Sequence, residues 1–166
     1  MSGTPIETER KFLIRMPHPD ELAEASVKAI EQTYLETDDS CNARVRRIVT
    51  DNGVSYVKTV KRRLSVLSCL EEEGEISEAQ YLEELKSADK TKKTVVKTRY
   101  ALPYRGHTVE IDVYPFWSDR AILEVELASE DESFELPAFV DVIKEVSDDG
   151  RYKNTNLAAD VPYDII

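Results

Sequence analysis

The sequence predicts an α+β fold in which a mainly antiparallel β-sheet carries a few helices. Three observations predict it. Six segments alternate with a period of two, glycine-containing turns join two pairs of them, and only three stretches read as helical. No linker, low-complexity tract or repeat of about 20–50 residues divides the chain, so residues 1–166 read as a single domain.

Taken in order, residues 6–14 form the first strand, with Glu7, Glu9, Lys11 and Leu13 on one face and Thr8, Arg10, Phe12 and Ile14 on the other. Arg10, placed among apolar neighbours, is expected to snorkel toward water. Asp20 to Ile30 has Leu22, Ala23, Val27 and Ile30 at helical spacing after Pro19, which predicts a helix. Strands over 43–49 and 54–61 flank Asn52-Gly53, the strongest short hairpin signal. Ser77 to Lys86 predicts a second helix, because Ser77 and Gln80 make a capping box. Strands over 94–102 and 107–114 are joined by PYRGH, and 121–128 is the last alternating segment. A third helix is expected between Pro137 and Glu145.

Composition narrows the function classes. At 166 residues and 41% hydrophobic content the chain can bury a core. A net charge of −11 opposes non-specific binding to nucleic acid, although it says nothing of a basic pocket inside. Cys41 and Cys69 have no metal-type spacing and are too few for a disulfide scaffold, so they read as free thiols of a reducing cytosol. No apolar run approaches the roughly 18 residues of a membrane span, and the N-terminus has neither signal-peptide nor transit-peptide character. The expectation is a cytoplasmic protein with neither nucleic-acid nor membrane partners; a homodimer stays open.

The colouring of the alternation points to a site. Arg44 and Arg46 share one face; so do Lys97 and Arg99, Glu110 and Asp112, and Glu124 and Glu126, each pair opposite apolar residues. For any one strand a solvated face explains this. Across five strands, counting the first, the charged faces are nearly pure and sorted by sign. Closing the sheet with these faces inward gives a polar tunnel with a basic and an acidic wall. So many like charges are tolerable there only with guests. Arginine and lysine in numbers suit phosphate. Paired carboxylates without a His or Cys cluster suit Mg²⁺ or Mn²⁺. His18 and His107 read as surface residues, and no Ser/His/Asp or Cys/His arrangement is supported. Tyr114, Phe116 and Trp117, just after a strand, read as ordinary packing, with an organic-group pocket as the alternative.

Glu7-Thr8-Glu9-Arg10-Lys11 is also an E-x-E-x-K signature. It resembles that of the CYTH, or triphosphate tunnel metalloenzyme, superfamily. The order that follows makes the resemblance specific: RVR at 44–46, TVK at 59–61, EGEI at 73–76, KTRY at 97–100, EIDV at 110–113, LEVEL at 123–127 and RYKN at 151–154. It runs from Glu7 to Asn154 and is greatest to the small single-domain bacterial members. It implies an eight-stranded antiparallel β-barrel, a tunnel with a charged interior and covering helices. The activity implied is hydrolysis of inorganic tripolyphosphate to phosphate and pyrophosphate with Mg²⁺ or Mn²⁺. By the same resemblance Lys11, Arg44, Arg46, Lys61, Lys97 and Arg99 line the phosphate wall. Glu124 and Glu126 lead the metal ligands, Glu7 and Glu9 contribute, and Asp112, Glu73 and Glu75 complete the acidic side, with Glu110 a weaker candidate. Glu7 or Glu9 positions the attacking water, and Lys11 contacts the reacting phosphate. Arg151 is expected at the tunnel mouth, with Lys153 either beside it or purely structural.

One departure stands out. Glu71 occupies a place where members often carry arginine, and the segment RRLSVLSCL before it is long. Either Arg62 or Arg63 supplies that charge, or substrate is gripped less tightly. Thiamine-triphosphatase and class IV adenylyl cyclase are the alternatives within the family. A barrel that binds nucleotides or polyphosphate without turnover is the alternative outside it.

Overall fold

Turn chemistry and alternation set the strand pairing. In the computed structural model, which describes residues 6–166, Asn52-Gly53 closes the hairpin between β3 (Asn42–Thr50) and β4 (Gly53–Arg63), with Thr50 paired to Gly53. Residues 1–5 of the N-terminal stretch read above lie outside the described residues. Gly53 adopts φ +122°, a conformation open to glycine and strained for other residues. The PYRGH turn joins β6 (Val95–Tyr104) to β7 (His107–Val113), with Arg105 at φ +46° and Gly106 at +85°. Two consecutive positive φ values are what a tight two-residue hairpin of matching twist needs.

The remaining barrel strands are β1 (Ile6–Arg15), β2 (Ser26–Tyr34), β5 (Ser68–Ile76) and β8 (Arg120–Glu126). The order is β5-β4-β3-β2-β6-β7-β8-β1, all antiparallel, and β1 pairs back onto β5 to close eight strands into a barrel. The first strand divides its edge. Ile6 to Thr8 pair with β5, and Phe12 to Ile14 pair with a ninth strand, β9 (Val142–Glu145).

Two of the three expected helices are absent. Of the Asp20–Ile30 stretch only a 3₁₀ turn over Pro19–Leu22 forms, and β2 begins at Ser26. Its helical spacing yields to a strand that hydrogen-bonds on both sides, to β3 and to β6, so barrel closure overrides local preference. The Pro137–Glu145 stretch makes a turn, in which the Val140 N–H donates to the Pro137 carbonyl, and then β9. The Ser77 helix forms as α1 (Glu78–Glu84). The Gln80 N–H donates to Ser77 Oγ at 3.1 Å, and the Ser77 N–H donates to Gln80 Oε1 at 2.8 Å. A short α2 (Asn154–Leu157) lies near the C-terminus.

The apolar faces point outward, as alternation requires. Phe12, Ile14, Val109, Ile111, Leu123 and Val125 pack beneath Phe134, Leu136, Phe139 and Val140 of the β8–β9 connection, so this face is covered by an irregular segment in place of a helix. Each such fully buried aliphatic contributes about 1.5–3 kcal/mol relative to exposure. On the far wall, α1 and the 3₁₀ turn after it put Tyr81 and Leu85 over Ala43, Val45 and Val60. Arg10 pairs with Glu145 through Nε (2.9 Å) and Nη2 (2.6 Å) and lies over the Phe134 ring, which holds its head at the surface. A third cluster stops one end of the interior. Leu13 and Ile122 continue the inward rows of β1 and β8 past the last charges, and pack with Tyr34, Val95, Tyr114, Trp117, Tyr152 and Leu157.

Candidate active site

Period-two alternation with this register turns Glu7, Glu9 and Lys11 of β1 and Glu124 and Glu126 of β8 into the barrel, with Glu9 opposite Glu126 and Lys11 opposite Glu124. Arg44 and Arg46 face inward from β3, Lys61 from β4, Glu71, Glu73 and Glu75 from β5, Lys97 and Arg99 from β6, and Glu110 and Asp112 from β7. Glu7, Glu9, Lys11, Arg44, Lys61, Arg99, Glu110, Glu124 and Glu126 line one cavity of about 300 Å³, large enough for a small polyanion. Six acidic and six basic side chains line it, so the surplus negative charge of the chain lies elsewhere and does not exclude an anionic guest.

Other expected residues stand behind or beside this cavity. Asp112 is fully buried and accepts from Lys97 Nζ at 2.9 Å and from Arg99 Nε and Nη2 at 2.7 and 2.8 Å. Both its oxygens accept from those cations and it does not line the cavity, so it orients Arg99 and does not face a metal. Lys97 is likewise buried out of the cavity. Burial pulls its ammonium down to about 7, against the pull of Asp112. Arg46 Nη2 donates to Glu73 Oε1 at 2.7 Å, and Thr59 Oγ1 donates to the same oxygen. Neither Arg46, Glu73 nor Glu75 lines the cavity.

The two cations of RYKN trade places relative to expectation. Arg151 is exposed and clamped by Asp149 and Asp164, away from the cavity. Lys153 lines the cavity and makes no side-chain hydrogen bond or ion pair among the described residues. Burial, with Arg63 and Lys11 nearby, holds its ammonium below the ordinary value. Arg63 also lines the cavity. Arg44 leaves its buried Nε without a hydrogen-bond partner. The Asp39–Asn42 connection and Asn154–Thr155 complete one rim. They have no periodicity and were missed; the only signal near them was RYKN.

The carboxylates are not equivalent. Burial opposes ionisation of Glu124, but Lys11, Arg99 and Lys97 outweigh it and hold the carboxyl well below the ordinary range. Glu7 lies below its ordinary value for a similar reason, with Lys61 Nζ at 2.9 Å. Glu9 is pushed up to about 8 by burial and by the Glu124 and Glu7 carboxylates. Burial also raises Glu126. Neither Glu9 nor Glu126 is in an ion pair among the described residues. No group of three or more acidic, histidine or cysteine side chains is already arranged as a metal site among those residues. The donor chemistry nevertheless fits a hard divalent cation. Facing carboxyls outside any ion pair, one of them keeping its proton to about pH 8, ionise when a cation replaces that proton.

The CYTH domain family model matches residues 5–157. The chain belongs to the CYTH family. The inorganic triphosphatase of Nitrosomonas europaea is 37% identical over 162 residues, covering 94% of this chain and 99% of that protein. The crystal structure of an inorganic triphosphatase superposes with a TM-score of 0.59 at 33% identity, covering 98% of this chain and 99% of that one. A conserved hypothetical protein of Pyrococcus furiosus, 22% identical over 75% of this chain and 80% of its own, shares the fold at a TM-score of 0.58. The CYTH barrel is therefore the frame of this site. Within it Tyr114, Phe116 and Trp117 serve as packing: Tyr114 and Trp117 belong to the apolar end, Phe116 stacks on Tyr114, and none lines the cavity. His18 and His107 lie outside it too. No helix among the described residues is long and apolar enough to cross a membrane.

Proposed function

We propose that this protein is a cytoplasmic, divalent-metal-dependent triphosphatase that hydrolyses inorganic tripolyphosphate to orthophosphate and pyrophosphate. One observation carries the reading: Arg44 and Lys153, cations without carboxylate partners, line the same cavity as Glu9 and Glu126, carboxylates without cationic partners. A polyanion and a cation bound together satisfy both sets. The 37% identity to an inorganic triphosphatase supports the same reading. Tyr114, Phe116 and Trp117 are packed away from the cavity, and Tyr34 is the one aromatic residue among the described residues that lines it, which disfavours recognition of a thiamine or adenine ring.

In this reading Arg44, Lys61, Arg99 and Lys153 bind the phosphate oxygens, and Asp112 fixes the Arg99 guanidinium for bidentate contact. Glu9 and Glu126, with Glu7 and Glu124 adjacent, would hold Mg²⁺ or Mn²⁺. Such an ion, when bound, neutralises phosphate charge and polarises the phosphoryl group. Lys11 stands beside Glu124, 3.6 Å away, and meets the phosphoryl group under attack. The acidic wall of Glu7 and Glu9 positions the water. Its oxygen bonds to a terminal phosphorus, the P–O–P bond breaks, pyrophosphate leaves with the electron pair, and the proton of the water passes to solvent. Positioning and charge stabilisation do the catalysis.

The test is a panel of tripolyphosphate, ATP and thiamine triphosphate with Mg²⁺ or Mn²⁺, followed by phosphate release. Tripolyphosphate should be cleaved fastest, and chelation of the metal should stop it. Binding of all three with release from none would establish a non-catalytic barrel instead.

A further inference from the structure

One carboxylate in this interior works against a polyanion. Glu71 faces inward from β5 directly across the ladder from Lys61, and its Oε2 lies 3.3 Å from Lys61 Nζ. The same ammonium is 2.9 Å from Glu7 Oε1, so two carboxylates share one cation of the phosphate wall. Glu71 differs from the other paired acids. Asp112 and Glu73 each hold cations by charge-assisted hydrogen bonds set back from the cavity. Glu71 Oε2 is buried and makes no hydrogen bond, and the ammonium it lies against is shared with Glu7, so its charge is only partly offset. Burial and the neighbouring Glu7 push its carboxyl up to about 7, so it is an anion at pH 8.5.

We propose that Glu71 is a specificity-determining residue, a carboxylate held beside Lys61 that limits the negative charge the phosphate site accepts and so favours short phosphate chains over longer ones. The proposal rests on the phosphate-binding reading above. Repulsion from a fixed charge grows with the charge of the guest, and each added phosphate brings about one more within a confined, partly desolvated cavity. Lys61, held by two acids, has less left to offer a third anion. The selectivity comes from charge and not from shape, because the side chain lies against Lys61 and outside the cavity lining.

The experiment compares pyrophosphate, tripolyphosphate and tetrapolyphosphate binding by calorimetry without divalent cation, at pH 8.5, for wild type, Glu71→Gln and Glu71→Asp. Glu71→Gln keeps the shape and removes the charge; Glu71→Asp keeps the charge. Expected is a gain in affinity for tetrapolyphosphate about tenfold larger than for pyrophosphate in Glu71→Gln, while Glu71→Asp keeps the wild-type ratio. Equal changes for all three phosphates, or the same shift in both variants, would overturn the proposal. Phosphate release by wild type with Mg²⁺ is measured in parallel. A shifted binding ratio without any turnover sinks the triphosphatase reading and leaves Glu71 its role. Normal turnover with an unshifted ratio does the reverse, and wild type that binds none of the three overturns both.

Discussion

Replacing Asp112 with Asn isolates the support of the basic wall. The carboxylate is fully buried and accepts three charge-assisted hydrogen bonds, one from Lys97 and two from Arg99. The amide has one oxygen for three donors and adds two of its own toward cations. Removing one partner of a buried ion pair costs about 3–5 kcal/mol, because the remaining charge stays desolvated and unpaired. For a chain of this size each kcal/mol moves Tm by about 2–4 °C, so Tm should fall by roughly 6–20 °C. Urea unfolding with an unchanged m-value measures the loss directly. The acid limb adds a sign. Burial raises the Asp112 carboxyl, but Lys97 and Arg99 outweigh it and hold it below its ordinary value. Its contribution is thus present above the unfolded value of about 3.9 and lost as pH falls through the lower folded value. The variant should lack that part of the acid dependence. Tripolyphosphate should restore stability to the variant more than to wild type, by supplying an anion to Arg99. A loss under 1 kcal/mol, or an unchanged acid limb, would refute the argument that Asp112, Lys97 and Arg99 are a mutually dependent unit.

Glu126→Gln should lower metal-dependent turnover by at least about 100-fold with an unchanged Tm, since it removes a cavity carboxylate that pairs with nothing in the fold; full activity in a steady-state phosphate-release assay would remove it from the acidic wall. Lys153→Ala should raise KM for tripolyphosphate about tenfold or more, the equivalent of one charge-assisted contact of about 1.5–3 kcal/mol, whereas Arg151→Ala should leave KM within about twofold. Binding of Mn²⁺ should tighten as pH rises toward about 8 and level off above it, because Glu9 must give up its proton; calorimetry in buffers of different ionisation enthalpy should detect that proton, and its absence would show that Glu9 is not displaced. Ser77→Ala should cost about 1 kcal/mol by opening the α1 capping box, with phosphate release untouched.

Much of the barrel was legible because its grammar is local. Asn52-Gly53 and Arg105-Gly106 mark hairpins by backbone chemistry alone, and alternation in 43–49, 54–61 and 107–114 tells inside from outside. The failures have one cause. Asp20–Ile30 carries apolar residues compatible with either period, and the choice belongs to β3 and β6, distant in sequence, which both need it as a partner. The acidic run of β5 lacks β-branched residues until Ile76. It is a strand because β4 and β1 bracket it, and only the resemblance, not its periodicity, drew attention to EGEI.

For the site, alternation reports the face of a strand and leaves the depth unstated. Glu110 and Asp112 look identical in sequence, two carboxyls on one inward row. Yet Glu110 lines the cavity while Asp112 lies one step toward the apolar end, where Lys97 and Arg99 enclose it. Arg44 and Arg46 differ in the same way, the second being taken by Glu73. Depth is set by register, and register around a closed barrel is a property of all eight strands together. A sequence pattern can therefore nominate the whole charged interior. Which of its members stay unpaired, and so remain free to bind, is decided only when the strands lock against one another. Lys153 carries the argument further, because it belongs to no strand. Its place in the cavity depends on the turn that Asp149 and Asp164 hold through Arg151, so the residue expected at the mouth is the one that anchors its neighbour there.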